Sequence, residues 1–269
     1  MPPQYHDQAF WNTRFKNEAT FEWLGDGQDT LLPPLRDFLV QCRASFDVPP
    51  RILHIGAGTS SFQDHVQRAL VQIYGNDVDC RTIVNTDFAE VPAMHKADTA
   101  QPSGQWVKAD LLRWTDILKI LETASDRFSV VLDKSTSDAI SCGSPVAPQE
   151  TSEDMGINPL VRSLLAANGS AEKNPTLSAL EVLSLHLATC VKPGGIWIAL
   201  SYSSDRFPFL RSSNSSSRQE HKKMSHSSIY WTIENVVAVD APSGQDKPGV
   251  HAPRVQHHLY VLRRTSAAA

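Results

Sequence analysis

RILHIGAGTS, residues 51–60, is the stretch from which the fold can be read. Residues 51–55 form a short, largely apolar run ending on glycine, the pattern of a buried strand. Residues 60–74 then carry Phe62, Val66, Leu70 and Ile73 at helical spacing. A strand that runs through Gly56-Ala57-Gly58 into a helix has the form of a ligand-binding turn. Glycines let the backbone bend sharply and come close to a ligand. A helix start also offers unpaired N–H groups to a carboxylate. The same G-x-G is equally an ordinary tight turn between strand and helix. The dinucleotide version needs G-x-G-x-x-G and an acid about 20 residues further on. Here Ser61 stands at the third position and Asp87 lies farther away, which disfavours a nicotinamide cofactor.

Outward from this turn, strands and helices alternate. Residues 80–86, 106–109, 128–132 and 195–200 read as strands. FSVVL at 128–132 is nearly all apolar, as a central parallel strand covered on both faces requires. Residues 89–96, 114–122 and 177–191 read as helices, the last stopping at Lys192-Pro193-Gly194-Gly195. Such alternation predicts a doubly wound, mostly parallel α/β sheet. The end of the chain differs: 230–239 and 257–262 read as two strands joined by a Pro/Gly-rich loop at 241–253, able to pair antiparallel. Residues 1–45 are expected to form a helical arm on the core and 46–266 the main domain. Residues 141–176 are polar, with a helix at 159–167, and read as a lid-like insertion. Residues 211–228, Ser-rich and basic, read as a mobile loop.

With 269 residues and 41% hydrophobic content, the chain is long enough to bury a substantial core. A net charge of -4 and a pI near 6.2 disfavour a general nucleic-acid binder. No apolar run approaches the roughly 20 residues that span a bilayer, and the N-terminus has no signal-peptide core. Cys42, Cys80, Cys142 and Cys190 are widely spaced, so no metal site is expected. Free thiols suit a reducing compartment, and a cytoplasmic location follows, with the nucleus equally compatible.

Ligands of open parallel sheets bind beyond the carboxyl ends of the strands. Gly56–Gly58 follow the first strand, Asp87 the second, Asp110 the third and Asp133 the fourth, so the chemistry-bearing residues converge on one edge. An acid at the tip of the second strand can accept hydrogen bonds from both hydroxyls of a ribose. One after the third strand can accept from an adenine amino group.

FWNTRF (10–15), TFEWL (20–24), ILHIGAGTS (52–60), IVNTDFAEV (83–91), WVKAD (106–110), VVLDKSTSDAI (130–140), VKPGGIWIALSYS (191–203) and HHLYVLRR (257–264) occur in this order. Together they resemble the motifs of class I S-adenosylmethionine-dependent methyltransferases. The likeness is to the methyltransferase-like group that contains the eukaryotic elongation factor lysine methyltransferases. The resemblance implies a Rossmann-like, seven-stranded sheet with an antiparallel last strand, and S-adenosyl-L-methionine as cofactor. It implies that Gly56, Ala57 and Gly58 line the methionine part of the cofactor. Asp87 would hold the ribose, Asp110 and Leu111 would contact the adenine, and Phe88 would bind the cofactor beside them. Trp11 and Arg14 would fold back near the cofactor carboxylate. Asp133 would sit at the mouth, with Lys134 beside it, as the catalytic pair. The family favours cysteine where Ala57 stands, and Gly-Thr-Leu-Asp where Ser135-Thr136-Ser137-Asp138 stands.

Methyl transfer from a sulfonium is an in-line displacement in which the protein chiefly aligns and desolvates. An amine acceptor must arrive deprotonated, and a carboxylate such as Asp133 can orient it. Trp23 and Asp138 read as packing and pairing residues, and Tyr202 falls where a substrate wall would stand. Three functions stay open at this point. They are methylation of a protein lysine or N-terminal amine, N- or O-methylation of a small molecule, and cofactor binding without transfer. The expected partners are a protein or small-molecule methyl acceptor, with no nucleic acid or membrane, on a monomer or weak dimer.

Overall fold

The computed structural model describes residues 3–91, 104–124, 126–146, 156–167, 177–211, 226–241 and 255–269. The chain opens with helices α1 (Gln8–Asn17) and α2 (Leu32–Ser45). It continues through β1 (Ile52–Ile55), α3 (Phe62–Tyr74), β2 (Ile83–Asp87), β3 (Gln105–Lys108), α4 (Trp114–Ala124) and β4 (Phe128–Lys134). The second half holds α5 (Thr136–Ser141), α6 (Pro159–Ala167), α7 (Ala179–Cys190), β5 (Val191–Ser201), β6 (Trp231–Asp240) and β7 (Gln256–Arg264).

Among the described residues, seven strands form one sheet in the order β3-β2-β1-β4-β5-β7-β6. β1 pairs parallel with β2 on one side and β4 on the other. β7 runs antiparallel to both β5 and β6, as the last two strands had suggested. The chain walks outward from β1 to β3 and then returns to place β4 on the opposite side of β1. That reversal opens a crevice between the carboxyl ends of β1 and β4. Period-2 alternation distributes side chains to the two faces. Ile52, Val130, Leu132 and Ile198 meet α2 and α3 through Leu35, Leu39, Phe62, Val66 and Leu70. Leu53, Ile55, Val131, Trp197 and Ala199 meet α4, α6 and α7 on the other face.

α7 is buried at every residue except Glu181, so its polar groups need partners. The Ser184 hydroxyl bonds to that of Ser227, Thr189 donates to His186 O, and His186 Nδ1 lies 2.8 Å from Leu111 O. Burial pushes the His186 imidazole down to about 4, so it is neutral.

Several local expectations shift. Residues 80–82 are a 3-10 turn capped by Asp79, which accepts from Arg81 N, and β2 begins only at Ile83. Ala89 and Glu90 are not helical; Ala89 N donates to Asp87 Oδ1 and Glu90 N to Asn12 Oδ1. Residues 92–96 of that expected helix lie outside the described residues. Lys192–Gly195 do not separate α7 from a strand. α7 ends at Cys190, and β5 starts at once, with the extra residues absorbed in a register shift against β4. The helix expected at 159–167 is α6, whose Leu160, Val161 and Leu164 are buried in the core. Val146 and Leu177 pair through two backbone hydrogen bonds of 2.8 and 2.9 Å, which brings the two residues flanking 147–176 together. Of residues 211–228, 212–225 lie outside the described residues, and 226–229 form a 3-10 turn. No helix among the described residues is long and apolar enough to cross a membrane.

Candidate active site

The turn after β1 is shaped by two left-handed glycines, Gly56 at φ +55° and Gly58 at φ +53°. A Cβ on Gly56 would lie 2.1 Å from Thr136 Oγ1. That hydroxyl donates to Ile55 O at 2.9 Å and fastens the start of α5 to the end of β1. Asp87, at the tip of β2, grips the same turn: Gly58 N donates to Oδ2 at 3.0 Å, and Ala89 N donates to Oδ1 at 2.9 Å. The carboxylate is 6% exposed, and burial raises it to about 6. An ionised carboxyl has about four lone-pair sites, so acceptor capacity remains beyond these backbone donors.

Above this edge lies a cavity of about 510 Å³, within the size range of small-ligand pockets. Its floor includes Gly56, Ala57, Gly58, Asp87, Phe88, Asp110, Leu111 and Lys134. Its roof comes from the N-terminal segment, through Tyr5, Trp11, Phe15, Phe21 and Trp23. Those rings interlock: Trp11 packs on Tyr5, Phe15, Phe21 and Trp23 at centroid distances of 5.6–6.4 Å. Trp23 also meets Tyr202 edge-on at 5.9 Å. Trp23 is therefore a packing residue and a wall of the cavity at once. Tyr202 lies on the wall that its place after β5 suggested.

Two of the anticipated site residues are not among the lining residues. Asp133 is fully buried below the floor. Its Oδ1 accepts from Thr136 N at 2.8 Å and Ser137 N at 3.2 Å, and its Oδ2 from Trp197 Nε1 at 3.3 Å. These bonds hold the start of α5, so the structure gives Asp133 a positioning role and not a place at the mouth. Burial raises its carboxyl to about 7. Arg14 also stands back: its guanidinium lies 3.7 Å from the centre of the Phe21 ring and pairs with Glu18 at 3.2 Å. Trp11 does line the cavity, but its Nε1–H is already donated to Tyr5 O at 2.7 Å.

Lys134 lines the cavity, yet its chemistry differs from a catalytic amine. Its ammonium donates to Glu22 Oε2 at 2.5 Å, Gly25 O at 2.8 Å and Ser60 Oγ at 2.7 Å, which accounts for all three protons. Glu22 is a site residue that the sequence did not single out. It accepts from Ser61 N at 2.6 Å, Ser61 Oγ at 2.7 Å and Ser60 Oγ at 2.7 Å, so a resident carboxylate caps the start of α3. The neighbouring Phe62 N–H is taken by Ser60 Oγ. The helix start thus has protein partners where a ligand carboxylate was expected. The one signal for Glu22 in the sequence is an acid between two aromatic residues, Phe21 and Trp23.

The Lys134→Met variant should lose about 1–2 kcal/mol of stability, below the figure for a fully buried pair because Glu22 keeps some contact with water. Glu22→Gln should lose less, since an amide oxygen can still cap Ser61 N. Urea melts of the two variants against the parent give this ordering directly, and the reverse ordering would refute the assignment.

Asp110 accepts from Leu112 N through Oδ1 at 2.9 Å and donates its own N–H to Asp116 Oδ2 at 3.0 Å, which sets Leu111 against the cavity. His186 supports Leu111 from below through its carbonyl. At the opposite end, Asp138 accepts from Ser135 Oγ at 2.6 Å, Ser201 Oγ at 2.5 Å and Tyr202 N at 3.1 Å, and pairs with Arg206 at 2.6 Å. Ser135, at φ +67°, is one of the non-glycine residues held left-handed, directly at the end of β4. Such strain clusters at functional sites. Nothing in the sequence marked Arg206, because its partners are distributed over residues 138, 141 and 201.

No family model matches the chain. Methyltransferase srdJ of Neurospora crassa is 34% identical over 141 residues, which cover 52% of this chain and 55% of that protein. The chain thus spans about half the length of the curated relative it matches. A SAM-dependent methyltransferase from Anabaena variabilis superposes with a TM-score of 0.52 over 97% of this chain and 94% of that one, at 11% identity. The architecture is accordingly the Rossmann-like methyltransferase fold, a mostly parallel seven-stranded sheet with an antiparallel last strand.

Proposed function

We propose that this protein is an S-adenosyl-L-methionine-dependent methyltransferase whose acceptor is a small molecule. The observation that carries the reading is the clasp of Asp87 on the Gly58 N–H beside a cavity roofed by aromatic rings. The cradle fits the cofactor. The Gly56–Gly58 turn lines the cavity beside Asp87, and Asp87 keeps acceptor capacity for two ribose hydroxyls. Gly56, Ala57 and Gly58 would line its methionine part, Asp87 its ribose, and Phe88, Asp110 and Leu111 its adenine. Trp11 would cover it, Arg14 would brace that cover through Phe21, and Asp133 and Lys134 would hold the floor and the turn. When bound, the cofactor supplies an electrophilic methyl on a good leaving group. The chain's own residues align the acceptor, exclude water through the aromatic roof and keep the turn rigid.

A protein lysine or N-terminal amine is the reading favoured by the motif resemblance. It calls for free acids at the acceptor end to draw in a cation. Among the described residues, the acid lining that end, Asp138, is already paired with Arg206, and the other lining acids, Asp87 and Asp110, belong to the cofactor end. The small-molecule reading is better supported for that reason. The srdJ likeness is to a methyltransferase, over about half of each chain.

The test is calorimetry with adenosylmethionine, followed by mass spectrometry of a lysate incubated with cofactor labelled in its methyl group. Label is expected in low-mass metabolites. Label in a polypeptide would overturn the acceptor class, and binding without any labelled product would leave a cofactor-binding scaffold.

A pH dependence follows from Asp87. Burial raises its carboxyl to about 6, and the ionised form is the better ribose acceptor. Cofactor affinity should therefore be constant above pH 7 and fall as protons bind below 6, by about tenfold at pH 5. The variant Asp87→Asn, which has no proton to gain, should bind weakly but with a flat profile between pH 5 and 7.5. A flat profile in the parent protein would contradict the placement of the ribose.

A further inference from the structure

We propose that Arg206 is the acceptor-recognition residue, and that the acceptor it selects is a planar aromatic compound bearing a neutral carbonyl oxygen. This rests on the small-molecule methyltransferase reading and names the acceptor's chemistry. Arg206 lies past the end of β5 and lines the cavity. Its guanidinium is fixed by three partners from two elements: Nε donates to Ser201 Oγ at 3.1 Å, Nη1 to Ser141 Oγ at 2.5 Å, and Nη2 pairs with Asp138 Oδ1 at 2.6 Å. Its backbone N–H is held by Tyr260 Oη at 3.1 Å, and that hydroxyl donates in turn to Ser203 O.

A guanidinium has five N–H donors. The three side-chain bonds leave one on each terminal nitrogen, on a group that cannot swing away. The side chain is only 16% exposed, so these two donors are costly to leave dry and well suited to an oxygen in the cavity.

The charge of the site selects the kind of oxygen. Asp138 neutralises Arg206 within one ion pair, so a second carboxylate would have to share an already compensated cation. Ser135, Ser201 and Tyr202 N all donate to that same carboxylate and hold it in place. A cationic acceptor would meet Arg206 itself. A neutral acceptor oxygen is the partner that meets neither penalty. Flatness is selected by the neighbours: Trp23 and Tyr202 present rings 5.9 Å apart at this end of the cavity, and Tyr202 is backed edge-on by His257 at 5.0 Å. Ring surfaces lining a cavity offer edge-to-face or offset-stacked packing to an aromatic ligand.

The experiment uses the full chain loaded with adenosylhomocysteine, whose own binding is measured first by calorimetry. Failure at that stage would count against the methyltransferase reading and not against this assignment. The loaded protein is then titrated with 4-hydroxyacetophenone, 4-ethylphenol, 4-hydroxybenzoate and 4-hydroxybenzylamine, with ligand-observed NMR as readout. The neutral ketone should bind at least tenfold tighter than the ethyl, carboxylate and ammonium analogues. Arg206→Lys should reduce that preference to below threefold while leaving the affinity for adenosylhomocysteine unchanged. Should Arg206→Lys fail to fold, Ser141→Ala provides the second variant, since it releases Nη1 and leaves the Nε and Nη2 contacts of Arg206 in place, at the cost of the Ser141 bond to Asp138 O, and the preference should drop two- to threefold. Equal binding of all four probes, no binding of any, tighter binding of the benzoate, or an unchanged preference in the variants would each overturn the proposal.

Discussion

Replacing Gly56 by alanine is expected to abolish cofactor binding and to cost about 3 kcal/mol or more in stability. Two independent effects add. The φ of +55° puts an L side chain in the left-handed region, at about 1–2 kcal/mol. The new Cβ would also lie 2.1 Å from Thr136 Oγ1, 2.8 Å from Cγ2 and 3.0 Å from Cβ, so no rotation of the threonine removes every contact. Relief requires α5 to move away from β1, which breaks the Thr136 bond to Ile55 O and disturbs the Asp133 contacts to Thr136 and Ser137. Gly58→Ala provides the comparison. It carries a similar φ penalty, but its nearest neighbour is the tip of the Phe15 ring at 3.0 Å, a side chain from α1 that can shift. Thermal melts and calorimetry should rank the parent first, Gly58→Ala second and Gly56→Ala last. The double variant Gly56→Ala/Thr136→Gly should recover part of the stability. A parent-like melting temperature for Gly56→Ala would remove the basis for the tight turn.

The second large effect is expected at Asp87. Asp87→Ala should weaken adenosylmethionine binding by about 1.5–3 kcal/mol, the scale of losing hydrogen bonds to a charged group. The loss has two parts. Ribose hydroxyls lose their acceptor, and the Gly58 and Ala89 N–H groups lose the oxygens that fix the turn. Asp87→Asn separates them, because an amide oxygen can still receive one of the backbone donors. Stability should move the other way with pH. Asp87 near 6 and Asp133 near 7 are both raised by burial, so the fold holds more protons than the unfolded chain between about pH 4 and 7. Their contribution therefore favours the fold at the acid end of that window and declines as pH rises through it. Asp87→Ala should flatten part of this slope in urea melts taken from pH 4.5 to 7.5, while its affinity for cofactor falls at every pH. Undiminished affinity would show that the ribose lies elsewhere.

The edge that lines the cavity was legible because each of its parts is local in sequence. Gly56–Gly58, Asp87 and Asp110 each follow an apolar strand directly, and strand ends in a parallel sheet all open to one side. Where the structure departs from the expectation, the partners of the group in question are not those its place in the sequence suggested. The Asn12 and Asp87 side chains hold Glu90 N and Ala89 N where a helix had been expected to begin. Asp133 was expected at the mouth for its place at the end of β4, but its burial is set by Trp197 on the neighbouring strand. Lys134 looked available beside it until Glu22, 112 residues away in the chain, accounted for its charge.

The sequence by itself determined the layered fold, because hydrophobic period and glycine conformation are properties of a few consecutive residues. It also determined which edge of the sheet lines the cavity. Only the tertiary structure decided what each charge does there. The roof of rings from residues 5–23, the Glu22 cap on α3 and the Asp138–Arg206 pair join segments far apart in the chain. The availability of a buried ionisable group depends on which neighbours desolvate and pair with it, and those neighbours exist only once the chain has folded.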